Sequence, residues 1–168
     1  YQISVRPPKP VGLPSEIQSK LSESFIVIHP TPLTAYKRWP LANWVELIES
    51  LSENYQIVLS GAPIAQDREL NQAIIDLLSD LAKKSILNLD GRLRLDQLST
   101  LLRQAKLYIG IDTSVTHLAA ACNTPTITLF GDDLLSSATS GNHWLFNGIS
   151  LPNATEQTYT PSVNGNYS

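Results

Sequence analysis

Two short stretches of the 168-residue sequence carry side chains suited to holding an anion. The first, His29-Pro30-Thr31-Pro32-Leu33-Thr34-Ala35-Tyr36-Lys37-Arg38-Trp39-Pro40, combines adjacent cations at Lys37 and Arg38 with the hydroxyls of Thr31 and Thr34. Ammonium and guanidinium groups make charge-assisted hydrogen bonds to phosphate, about twice as strong as neutral ones. Trp39-Pro40 fits a rigid entry into a helix, because proline's fixed φ suits a first helical position. The other reading of this stretch is a solvated loop that happens to be basic.

The second stretch, Gly110-Ile111-Asp112-Thr113-Ser114-Val115-Thr116-His117, runs into Leu118-Ala119-Ala120-Ala121-Cys122 and reads as the start of a helix. The first N–H groups of a helix lack intrahelical partners and face outward with the positive end of the dipole. Thr113 and Ser114 add hydroxyls, and His117 follows about one turn further in. The dipole contributes only about 0.3–1 kcal/mol, or about 2 kcal/mol where partly buried, so Lys37 must carry the larger share of holding a diphosphate. Asp112 has two readings, an N-cap accepting from first-turn N–H groups or an acceptor for sugar hydroxyls. Helix capping with core packing stays open as the alternative for the whole cluster.

Missing motifs narrow the chemistry. No G-x-G-x-x-G follows the first apolar run, no G-x-x-x-x-G-K-[ST] occurs, and G-x-S-x-G is absent, which speaks against nicotinamide, P-loop and esterase chemistry. His29, His117 and His143 are far apart and lack partners at ligand spacing, so no metal site is expected. His143, beside Trp144, reads as a surface residue.

Nearly continuous apolar runs, of the kind buried on both faces, predict strands at Phe25 to His29, Gln56 to Ser60, Ile86 to Leu89, Leu107 to Ile111 and Thr126 to Phe130. Between them, helical spacing of apolar residues predicts helices at Leu41 to Asn54, Ala65 to Lys84, Leu95 to Ala105 and Ser114 to Asn123. Such alternation gives an α/β fold, a Rossmann-like doubly wound parallel sheet. With the first strand central and the fourth beside it, the loops after those two strands meet at the crevice where ligands bind. These are the two stretches described above.

A net charge of −3 argues against a nucleic-acid surface, and no window approaches the roughly 18 apolar residues of a membrane span. The single cysteine, Cys122, reads as a small buried hydrophobe and suits a reducing, cytoplasmic compartment. There is no methionine, so the sequence reads as a piece of a longer chain. Residues 1–24, with Arg6-Pro7-Pro8-Lys9-Pro10 and Pro14, are expected to form an extended linker. Residues 25–131 form the domain. Residues 132–168, rich in Ser, Thr, Asn and Gly, are expected to be an irregular tail.

Taken together, several short motifs resemble the heptosyltransferases of glycosyltransferase family nine. They are His29-Pro30 followed by Lys37-Arg38-Trp39-Pro40 and Trp44, then Leu59-Ser60-Gly61-Ala62-Pro63 and Asn88-Leu89-Asp90-Gly91. The most specific is Ile109-Gly110-Ile111-Asp112-Thr113-Ser114-Val115-Thr116-His117-Leu118-Ala119-Ala120-Ala121, with Thr124-Pro125 and Leu129-Phe130-Gly131 beyond it. The resemblance spans roughly Phe25 to Gly131. It implies the C-terminal, donor-binding half of a two-domain GT-B glycosyltransferase, one that uses an ADP-sugar, ADP-heptose foremost, in lipopolysaccharide biosynthesis.

By the same resemblance, Lys37 contacts the donor's phosphate or sugar, and Thr113, Ser114 and Val115 present donors to the diphosphate. Asp112 and His117 complete that pocket, and Asp67, with Glu69 as a further candidate, contacts the ribose. Thr31 joins this donor-binding set through its hydroxyl. The implied reaction is inverting, needs no cofactor beyond the donor substrate, and takes its general base from an N-terminal acceptor domain outside this sequence. No catalytic residue is therefore expected here, and the isolated piece should not turn over. A glycolipid or saccharide acceptor and a position at the inner face of the bacterial inner membrane are implied as well.

Ser114 stands where the family often has glycine, and Gly131-Asp132-Asp133 replaces its usual Gly-Pro-Thr turn. Those acids and the polar tail support an alternative, a degenerate Rossmann-like module with a structural or interaction role and no donor binding.

Overall fold

The computed structural model describes residues 7–31 and 38–129, with the backbone of four two-residue strands beyond them. The apolar runs pair as one parallel sheet: β1 (Phe25–His29), β2 (Gln56–Leu59), β3 (Ile86–Asn88), β4 (Leu107–Ile111) and β5 (Thr126–Leu129). Their order is β3-β2-β1-β4-β5, which places β1 centrally with β4 beside it. The doubly wound α/β architecture expected from the sequence is the one observed.

Alternation along each strand splits the core into two layers, since successive side chains leave opposite faces of a sheet. Phe25 and Val27 join Val58, Leu87 and Tyr108 on one face. That face is covered by α5 (Leu95–Gln104) and α6 (Ser114–Ala121) through Leu101, Leu102 and Ala119. Ile26 and Ile28 join Ile57, Leu59, Ile109 and Ile111 on the other. There α2 (Leu41–Ser52) and α3 (Ala65–Leu77) contribute Trp44, Ile48 and Ile74. Each such side chain taken out of water stabilises the fold by about 1.5–3 kcal/mol. Trp44, fully buried, meets Trp39 edge to face at 4.8 Å between ring centroids.

The helix expected over 65–84 is interrupted. After α3 the chain turns extended at Leu78 and restarts as α4 (Asp80–Lys83). Ser79 is the reason: its hydroxyl oxygen accepts from the Ala82 N–H at 3.2 Å as an N-cap, while its own N–H and O–H donate to the Glu49 carboxylate of α2.

The segment 1–24, expected to be an extended linker, packs against the domain over its described part. It contains α1 (Ser15–Gln18), whose Ile17 is 1% exposed, with Leu13 and Leu21 against the same core layer. A proline-rich chain makes no internal backbone bonds, and helix α5 supplies them instead. The Val11 N–H donates to Thr100 Oγ1 at 3.0 Å, the Thr100 hydroxyl donates to the Val11 carbonyl at 2.9 Å, and Ser99 Oγ donates to the Pro8 carbonyl at 3.2 Å.

Within the stretch expected to be an irregular tail, β6 (Leu134–Leu135) pairs with β9 (Thr158–Tyr159) and β7 (Leu145–Phe146) with β8 (Ile149–Ser150), both antiparallel. Among the described residues no helix is long and apolar enough to cross a membrane.

Candidate functional site

A cleft of about 280 Å3 opens along the carboxyl ends of the strands. It spans the switch point between β1 and β4, where open α/β sheets bind their ligands. Its polar lining comprises His29 at the end of β1, Thr31 just after it, Thr113 and Ser114 at the tip of α6, and Asp67 in the first turn of α3. The lining also has an apolar part, formed by Leu89, Leu93, Leu95 and Leu98 between β3 and the start of α5. Ser60, Gly61, Ala62, Pro63, Ile64, Gln66 and Val115 complete the lining.

The tip of α6 is set from below. Gly110 pairs in register with His29 across β4 and β1. A side chain at Gly110 would collide with the phenol of Tyr108, so only glycine fits. Tyr108 Oη lies 3.1 Å from Thr116 Oγ1, whose hydroxyl donates to the Ile111 carbonyl. A hydroxyl with its one proton committed must accept the next bond, so Tyr108 donates to Thr116. Burial pushes the Tyr108 phenol up to about 12, and it stays neutral.

Thr113 is the N-cap residue, in extended conformation and with no side-chain capping bond. Its hydroxyl lies near enough to Tyr108 to influence that phenol, yet it makes no hydrogen bond of normal geometry. The hydroxyls of Thr31 and Thr113 are both buried and without a partner among the described residues. Leaving a buried hydroxyl unpaired costs about 1–3 kcal/mol. Two such groups facing one cleft mark where a ligand would restore the missing bonds.

A second polar cluster organises the β2 side. The Ala62 N–H donates to buried Asp67 at 2.7 Å, Asn71 Nδ2 donates to the Ser60 carbonyl at 3.3 Å and also to Asp90. Burial holds the Asp90 carboxyl above the usual carboxylate range, against the hydrogen bond from Asn71. His29 Nδ1 lies 3.1 Å from Ser60 Oγ, and burial lowers this imidazole from its ordinary value while the Asp67 charge opposes the shift.

Of the residues singled out in the sequence, the cleft brings together Thr31, Asp67, Thr113, Ser114 and Val115. Asp112 and His117 stand beside the α6 tip but outside the cleft lining. The His117 Nε2 is 3.5 Å from Asp112 Oδ1, with the imidazole 80% exposed. The N-cap position offered as a reading of Asp112 falls to Thr113, because the helical turn begins one residue later. Glu69 is exposed on α3 and not part of the lining.

Lys37 and Thr34 lie outside the described residues, as do Gly131-Asp132-Asp133 and His143. Arg38 is described and exposed. Sequence reasoning passed over His29, Ser60 and the four leucines. The signal for them was the His29-Pro30, Leu59-Ser60-Gly61 and Asn88-Leu89-Asp90-Gly91 motifs that carried the resemblance, and nothing pointed to Leu93, Leu95 or Leu98 as lining. Among the described residues no group of acidic, histidine or cysteine side chains is arranged to hold a metal.

The family model described as "Glycosyltransferase family 9 (heptosyltransferase)" matches residues 12–138. Lipopolysaccharide heptosyltransferase 3 of Escherichia coli K12 is 33% identical over 66% of this chain and 32% of its own length. Lipopolysaccharide heptosyltransferase 2 of the same strain is 36% identical over 56% and 27%. The chain thus spans about a third or less of the curated relatives it matches. The solved E. coli ADP-heptose lps heptosyltransferase II superposes with a TM-score of 0.63 at 30% identity, covering 73% of this chain and 40% of that one.

Proposed function

Because the chain belongs to glycosyltransferase family 9, the heptosyltransferase family, we propose that its cleft holds the nucleotide diphosphate of an activated sugar, ADP-heptose foremost. The observation that carries this reading is the pair of buried hydroxyls of Thr31 and Thr113, both without a hydrogen-bond partner among the described residues, after the two strands that meet at the switch point. The leucines in the same lining suit the flat apolar face of a nucleobase, and the name of a structural neighbour includes ADP-heptose. Asp67, also among the lining residues, is the candidate for a ribose hydroxyl, and Lys37, between β1 and α2 in the sequence, would add the charge that hydroxyls lack.

In this reading the domain acts on the departing diphosphate. An acceptor hydroxyl attacks the anomeric carbon, inverting it, as the bond to the diphosphate breaks. Donors already aimed at the developing charge lower the barrier by several kcal/mol in a dry site. The base that deprotonates the acceptor, and the acceptor site, belong to a second domain outside these residues.

Calorimetry with ADP tests the reading. Micromolar to millimolar binding is expected, weakened by about tenfold in Thr113→Val, the worth of roughly one hydrogen bond to a charged group, and more strongly in Lys37→Ala. No binding at millimolar ADP would overturn it.

A further inference from the structure

We propose that His29 takes up a proton when a diphosphate occupies the cleft, so that the anion is met by an imidazolium at the end of β1. The inference rests on the nucleotide-diphosphate reading above and deepens it, for His29 has no part in that reading.

The geometry favours Nε2 as the available ring nitrogen. Ser60 Oγ donates to the Ile28 carbonyl at 3.3 Å, so its bond with His29 at 3.1 Å has Nδ1 as the donor. Nδ1 therefore carries the proton of the neutral ring, and Nε2 keeps the lone pair. The ring is 7% exposed and lines the same cleft as Thr31 and Thr113. Burial disfavours the charged ring and lowers it from 6.5. A bound anion supplies the missing counter-charge in a poorly solvated place, where opposite charges attract far more strongly than in water.

The groups around His29 leave that role to it. From α3, Asp67 favours the proton but is partly committed to the Ala62 N–H. From β4, Tyr108 is neutral; just after β2, Ser60 is uncharged, and its backbone interaction favours the protonated ring without supplying a counter-charge. Asp90, after β3, is tied to Asn71. Asp112 and His117 pair with each other at the α6 tip, and Arg38 is exposed. The proton comes from the buffer and forms a new N–H at Nε2, with no other bond changed in the protein.

Linkage gives the sign. Affinity falls by up to about tenfold per pH unit as pH rises through the window between the free and bound pKa of His29. ADP-ribose is the suitable probe, because both its phosphates are diesterified and neither titrates near neutrality, unlike the terminal phosphate of ADP. Calorimetry of the whole chain, in buffers of different ionisation enthalpy at about pH 6–8, should show proton uptake. His29→Asn, which keeps a donor for Ser60 but has no second ring nitrogen, should abolish the uptake, whereas His117→Asn should retain it.

Nitrogen NMR of the imidazoles in the unaltered chain makes the test independent of whether that variant folds. The His29 midpoint should move to higher pH when ADP-ribose is added. ADP-ribose binding without proton uptake, uptake that survives in His29→Asn, or an unmoved His29 midpoint would overturn the proposal. If neither ADP nor ADP-ribose binds, the nucleotide reading itself fails and takes this inference with it.

Discussion

Buried groups without partners usually signal a cost, and here their position decides their meaning. Trp44 Nε1 and Asn71 Oδ1 are also buried and unpartnered among the described residues, but neither residue lines the cleft. Thr31 and Thr113 do. At the same scale, Gly110 supports the α6 tip by being absent as a side chain, since a Cβ there would strike the Tyr108 ring. Gly110→Ala should therefore destabilise the domain by about 1–3 kcal/mol, the usual cost of overpacking. Urea unfolding of Gly110→Ala alone and in a Tyr108→Val background checks the cause: an equal cost in both backgrounds would clear Tyr108.

Among the elements, the packed N-terminal strap departs most from expectation. Its prolines announce an extended chain; what they do not announce is helix α1, or that α5 offers Ser99 and Thr100 as partners for its backbone. Ile17 then anchors α1 in the core layer under β1. Ile17→Ala should cost about 2–5 kcal/mol, as for other large-to-small core changes, and lower the denaturation midpoint in a single transition. An unchanged midpoint would mean that the strap adds nothing to stability. The break between α3 and α4 follows the same logic, because Glu49 on a neighbouring helix captures Ser79 and stops the helix there.

For the whole molecule, the cleft and the stability of the fold share a titrating group. Unfolded, His29 binds its proton at the ordinary 6.5, whereas in the folded, ligand-free domain burial lowers that value. Between the two values the unfolded chain holds more protons, so stability is complete above 6.5 and is lost as pH falls. Thermal melts from about pH 7 to 5 should show this decline, and His29→Asn should flatten it. An identical decline in the variant would assign it elsewhere.

The sequence by itself determined the five strands of the sheet and the helical segments between them, the doubly wound class and the two loops expected at its switch point. Those features are written in the spacing of consecutive residues, period two or 3.6, and in where runs of them stop. Only the tertiary structure decided that His29 meets Ser60, 31 positions away, that Asn71 bridges to Asp90, and that leucines from around β3 and α5 wall the cleft. Contacts of that kind depend on strand register and on how far one helix sits from another, quantities set by packing of the whole core and recorded in no local pattern.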